Sequence, residues 1–299
     1  MPRPRHSALP ALLLPAVVVA HPGTPAGEAA PASIVGTEPW VFAWLALSIG
    51  LYAIGTARLW RHAGAGRGLH AGTVAAGAAG FAVLALALAS PVDALADRLF
   101  AAHMVQHELL MVVAAPLLVL GRPLAAWAWA LPPAARQRVG GWLRHPAWRV
   151  PWRALTHPLS AWSLHALALW AWHLPLCFEA ALRSPAWHAL QHASFLGTAL
   201  LFWWCTLAAV PRRAIGGALL SLFTTMLHTG ALGALFSLSP LVWYPHYLGS
   251  APVLGLDPLE DQQLGGLIMW VPAGAAYLAA ALWQVQRALQ GGGLQQAAR

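Results

Sequence analysis

Residues 100–120 read FAAHMVQHELLMVVAAPLLVL, a stretch in which Glu108 is the only formal charge. Wound as a helix at about 1.5 Å per residue, it covers about 30 Å, the thickness of a bilayer's hydrocarbon core. Backbone polar groups find no water there, so a crossing segment must satisfy them internally, as a helix does. Six further runs of this character lie at 39–59, 70–90, 156–174, 187–210, 215–238 and 264–286. Turn-forming residues separate most of them, as in 62–68 and at Ser90 with Pro91, Pro132 with Pro133 and Ser239 with Pro240.

Composition extends this reading to the whole chain. Of 299 residues, 59% are hydrophobic and 9% are Asp, Glu, Lys or Arg, with a mean hydropathy of +0.60. Globular chains average about 45–50% apolar and about 25% charged residues, so this chain has too few charges to coat a soluble particle. Disorder, a coiled coil, a collagen-like repeat and a disulfide scaffold each need a composition that is absent. The expected fold is an all-α, polytopic membrane protein, a seven-transmembrane-helix bundle at 39–286. It follows a signal peptide at 1–20 and a short exoplasmic segment at 21–38, and a cytoplasmic tail at 287–299 closes the chain. The leader pattern consists of Arg3 and Arg5, about a dozen apolar residues and the small Ala20. An uncleaved extra span is the other reading of those residues.

The net charge of +8 would suggest nucleic acid in a soluble protein. Here every cation is Arg, and the arginines sort by side. With the first mature helix running inward, Arg58, Arg61, Arg67, Arg122, Arg136, Arg138, Arg144, Arg149, Arg153, Arg212, Arg213, Arg287 and Arg299 fall inside, and Arg98 and Arg183 outside. Cytoplasmic loops retain positive charge, so N-out/C-in is expected and nucleic acid is not a partner. The absence of Lys removes retinal chemistry, which needs a Schiff-base amine. Cys177 and Cys205 are too far apart in sequence for a CxxC site. The connection 121–155, with Trp127, Trp129, Trp142, Trp148 and Trp152 among arginines, is expected to lie in the headgroup layer.

Several of the fourteen histidines gather toward the expected outer side. His103 and His107 form HMVQH, and His188 and His192 form HALQH; a spacing of four stacks both rings on one helical face. His173 ends the fourth run in AWHLP, and His228 lies in MLHTG of the sixth. Counted along the helices, His107 lies about 10 Å and His228 about 15 Å below the outer boundary, depths that overlap enough for a shared site. A lone intramembrane His commonly makes an interhelical hydrogen bond. Two matched pairs with further rings on adjacent helices point instead to metal, for which neutral imidazole is the commonest ligand. Met104 and Met111 lie beside these rings. Thioethers mixed with imidazoles suit Cu(I), although Met also serves as core filler.

Hydrolytic motifs are incomplete. HMVQH lacks the Glu of H-E-x-x-H, HELLM lacks the second His, and no G-x-S-x-G occurs. The HxxHH boxes of membrane desaturases are absent too, so no enzyme is expected.

The run HMVQHELLMVVAAPLLVLGRP at 103–123 resembles the signature helix of the heptahelical CtaG-like cytochrome c oxidase assembly factors, the caa3-type kind. The likeness continues in AWHLPLCFEAAL, WHALQHASFLGTALLFWW, MLHTGALGALFS and DPLEDQQLGGLIMWVPAG, and covers about 39–283. The resemblance implies a bacterial plasma-membrane protein that helps make active haem–copper oxidase, through copper insertion at the catalytic subunit. Implied partners are that subunit, a periplasmic copper donor and membrane lipid. The expected metal site comprises His103, His107, His188, His192, His228 and His173. Met104, Met111, Asp261 and His21 are possible accessories. Asp261 could orient a ligand imidazole or cap a helix. His21 would chelate copper through its amine if the leader is cut after Ala20. The competing functions are a haem-binding electron carrier, with haem iron held by facing histidines, and a copper or proton transporter.

Overall fold

The computed structural model describes residues 39–296 apart from 209, 212 and 213, and the side chains of 39–290 within that range. The expected signal peptide, His21 in the segment 21–38, Arg212, Arg213 and Arg299 lie outside the described residues. Among the described residues all regular structure is helical. In chain order the helices are α1 (Pro39–Ala63), α2 (Ala71–Leu88), the short α3 (Pro91–Ala96), α4 (Phe100–Gly121), α5 (Pro123–Ala130), α6 (Pro133–Leu143) and α7 (Pro146–Leu155). They continue with α8 (Pro158–His173), α9 (Pro175–Arg183), α10 (Pro185–Trp203), α11 (Ile215–Ser237) and α12 (Pro258–Gln296).

Five of these, α1, α2, α4, α11 and α12, are long and apolar enough to cross a membrane. The expected runs at 156–174 and 187–210 are helical as well, but α8 has only 16 residues. In α10 the polar His188, Gln191 and His192 lower the hydropathy of its first turns. Large apolar side chains stand outward on several helices, including Leu47, Leu86, Leu167, Leu227 and Leu278. The polar His103, Gln106, His107, Gln191 and Asp261 are buried. This inversion of the soluble pattern is what a lipid environment selects.

Pro116 explains the irregular middle of α4. Lacking an N–H, it cannot donate to Val112, and Leu109–Ala114 widens into a π segment. The Met111 carbonyl is taken instead by Trp203 Nε1 of α10, which donates at 2.8 Å. That bond ties α4 to α10 just below the histidine level.

The 121–155 connection, expected in the headgroup layer, folds into α5, α6 and α7. Arg122 adopts a left-handed conformation (φ 52°), and the chain turns so that α5 packs back on α1. Gly55 lets the Ala126 carbonyl approach where any Cβ would collide. Trp127 Nε1 donates to Ser48 O at 2.9 Å, and Arg136 lies 3.9 Å over the Trp129 ring. Those two indoles therefore hold protein to protein, whereas Trp142 and Trp148 are exposed.

Three connections meet at one end of the bundle. His246 Nε2 donates to Asp97 O, Ser250 Oγ donates to Arg98 O, and Tyr244 OH donates to His173 O. Phe100, Phe178, Phe236, Tyr244 and Tyr247 form a compact aromatic cluster at this end. It is the floor against which the histidine-bearing turns are set.

Candidate metal centre

The start of α4 is fixed by a residue of α12. Asp261 accepts the backbone N–H groups of Phe100 at 2.7 Å and Ala101 at 3.0 Å. A helix N-terminus leaves such groups without intrahelical partners and carries partial positive charge, so a buried carboxylate there compensates both. The Phe100 ring fits against Gly265, where a Cβ would strike it, and stacks on Tyr244 at 5.2 Å. With its first turn anchored this way, α4 presents His103 and His107 in a defined register.

The rings converge from α4, α8 and α10. Within each HxxxH pair the centroids are close, 4.3 Å for His103–His107 and 4.2 Å for His188–His192. Across helices His103 lies 5.4 Å from His188, and His107 lies 5.5 Å from His192 and 6.1 Å from His173. Candidate ligand nitrogens of His103, His188 and His192 all fall within 4.8 Å of one another. A tetrahedral ion with bonds of about 2.0–2.1 Å needs its nitrogens about 3.4 Å apart, so the three rings would have to draw together on binding.

Which nitrogen faces the centre follows from the other nitrogen's partner. The Leu169 carbonyl can only accept, so His173 Nδ1 carries the proton it donates at 2.7 Å, and Nε2 is left as a bare lone pair. Tyr247 OH donates to Ala96 O at 3.2 Å, turning its oxygen toward His103 Nδ1 at 3.4 Å. Burial, reinforced by the charges of Asp97 and Asp261, raises the Tyr247 hydroxyl above its ordinary range, so it stays a neutral donor. The Nε2 atoms of His103, His107, His173, His188 and His192 are buried and have no hydrogen-bond partner among the described residues. Buried polar atoms are nearly always partnered. Several orphaned imidazole nitrogens facing one another therefore fit a metal ion.

Other expected site residues fall elsewhere. His228 is not in this cluster; its ring contact is Trp162 of α8 at 6.0 Å. The counted depths overlap, but the His228 ring packs toward Trp162 rather than toward His103, His188 and His192. Asp261 accepts from the backbone of α4 and makes no hydrogen bond to an imidazole among the described residues. Met104 and Met111 are buried, and both line a small cavity beside His107. His165, mid-span in α8, pairs its Nδ1 with Thr198 Oγ1 at 3.1 Å.

The sequence reading overlooked Tyr247, Gln106 and Met269. Gln106 Nε2 donates to Ala87 O at 2.9 Å and to Asp93 Oδ1 at 2.7 Å, locking α4 to the end of α2 and to α3. One signal was available, since HMVQH and HALQH share a Gln before the second His.

The family model described as cytochrome c oxidase caa3 assembly factor matches residues 50–290. No curated protein and no solved structure matches the chain.

Proposed function

The chain belongs to the cytochrome c oxidase caa3 assembly factor family, and on that premise we propose that it hands copper to a haem–copper oxidase through the His103, His188 and His192 centre. The observation that carries this reading is the convergence of three ring nitrogens within 4.8 Å, with buried lone pairs otherwise without partners. Copper is cargo here. His103, His188 and His192 receive it, His107 and His173 stand behind them, and Tyr247 keeps the His103 ring turned inward.

Transfer by ligand exchange needs no general base or nucleophile, so the role is that of a carrier rather than an enzyme. Adjacent rings 4.2–5.5 Å apart leave space for a bare ion more readily than for a porphyrin plane, which favours copper over haem. Asp97 and Asp93 near His188 give the approach an acidic edge that would draw a cation from a soluble donor.

The accompanying topology is seven spans, N-out/C-in, in a bacterial plasma membrane, with the centre facing the exoplasmic side. Its support is the meeting of the 89–99, 174–184 and 238–257 connections at one end, together with the sorting of arginines. The oxidase's catalytic subunit is the receiving partner.

The test is the copper content of oxidase isolated from cells whose factor carries His188→Ala. Copper-deficient, inactive oxidase beside normal levels of the factor supports the reading. Fully metallated oxidase overturns it, as does a Soret band in the purified factor.

A further inference from the structure

Beneath the three-histidine centre, the helices enclose a cavity with room for about one water. Its wall includes Met104, His107, Glu108 and Met111 of α4, His173 of α8 and Met269 of α12. The chain has only five Met, and three of them border this one void. Methionine as ordinary filler needs only apolar neighbours. These three instead share their space with two imidazoles and a carboxyl group, in a place where polar atoms are costly to leave unsatisfied.

Among the described residues both ring nitrogens of His107 are buried without a hydrogen-bond partner, and so is Nε2 of His173. The two residues are only 1% and 3% exposed. A single water cannot satisfy these nitrogens together with Glu108 Oε2, which also has no hydrogen-bond partner among the described residues. A cation held by nitrogen and sulfur would, and the carboxylate would offset its charge. Thioether sulfur selects Cu(I) over harder divalent ions.

We propose that this cavity is a second, sulfur-containing copper station, with His107 and His173 as nitrogen ligands and Met104, Met111 and Met269 as the available thioethers. The inference rests on the copper reading of the outer centre and adds a deeper resting place to it. His107 connects the two, since its ring is 4.3 Å from His103 and 5.5 Å from His192 on one side and borders the cavity on the other. Passage between stations exchanges ligands one at a time. Copper stays Cu(I) throughout, so no reductant or oxidant is consumed.

Full-length protein labelled with selenomethionine, purified in detergent and loaded anaerobically with Cu(I), tests this without altering the fold. X-ray absorption at the selenium edge should find copper as a bonded neighbour. A Met111→Leu, Met269→Leu double variant should lose one equivalent of copper while His188→Ala loses a different one. Leu replaces Met at nearly constant volume and should be tolerated. Copper bound with nitrogen neighbours alone, and unchanged in the double variant, overturns the second station and leaves the outer centre standing. Failure of the protein to bind Cu(I) at all overturns both.

Discussion

At the residue scale, the geometry of the histidine cluster depends on side chains outside it. Tyr247 is one, because its oxygen holds the proton-bearing side of His103 away from the cluster. Tyr247→Phe should weaken Cu(I) binding about 10-fold, at the lower end of what loss of a supporting partner costs, with an unchanged circular dichroism spectrum. Asp261 is another, acting through the start of α4. Asp261→Ala removes two charge-assisted bonds and should cost about 2–4 kcal/mol, read as a lower thermal midpoint in detergent, before any effect on metal is considered. The HxxxH pairs were legible in the sequence because a four-residue spacing fixes which side chains share a helical face. The Tyr247 contact was not. It joins residues 144 apart through a connection whose path no periodicity encodes. The placement of His228 apart from the cluster has a related cause: depth within a span can be counted, whereas the neighbour at that depth depends on helix packing.

At the element scale, α4 carries most of the design. Pro116 removes one backbone donor, the π segment opens, and Trp203 fills the Met111 carbonyl. Trp203→Phe keeps most of the apolar volume and leaves that carbonyl without its donor, so it should cost about 1–3 kcal/mol, measured as earlier thermal unfolding. Gly265 permits the contact between α12 and the first turn of α4, and Gly265→Leu should reduce the amount of folded protein recovered from membranes. The runs containing these helices were plain from hydropathy alone. Their break into α4 and α5 at Arg122, and the return of α5 onto α1, follow from a left-handed residue and a close glycine contact.

At the scale of the molecule, the account needs α8 and α10 to cross the bilayer although one is short and the other polar in its first turns. A five-span chain would leave the 174–184 connection on the cytoplasmic side, while seven spans put it outside. Leu176 is 84% exposed in that connection. With Cys177 and Cys205 replaced by Ser, Leu176→Cys should react with an impermeant maleimide added to intact spheroplasts. Labelling only after permeabilisation would favour five spans. The imidazole cluster joins these scales, since it exists only if α4, α8 and α10 lie side by side with their histidine ends together. Anaerobic competition titration of Cu(I) against a calibrated chelator, on wild-type protein and on His188→Ala, His192→Ala and His228→Ala, tests that cluster most directly. The first two variants should lose affinity by more than the about 10- to 100-fold that a supporting residue costs, and His228→Ala should match wild type. Equal affinity in all four proteins, or a loss confined to His228→Ala, would contradict the account.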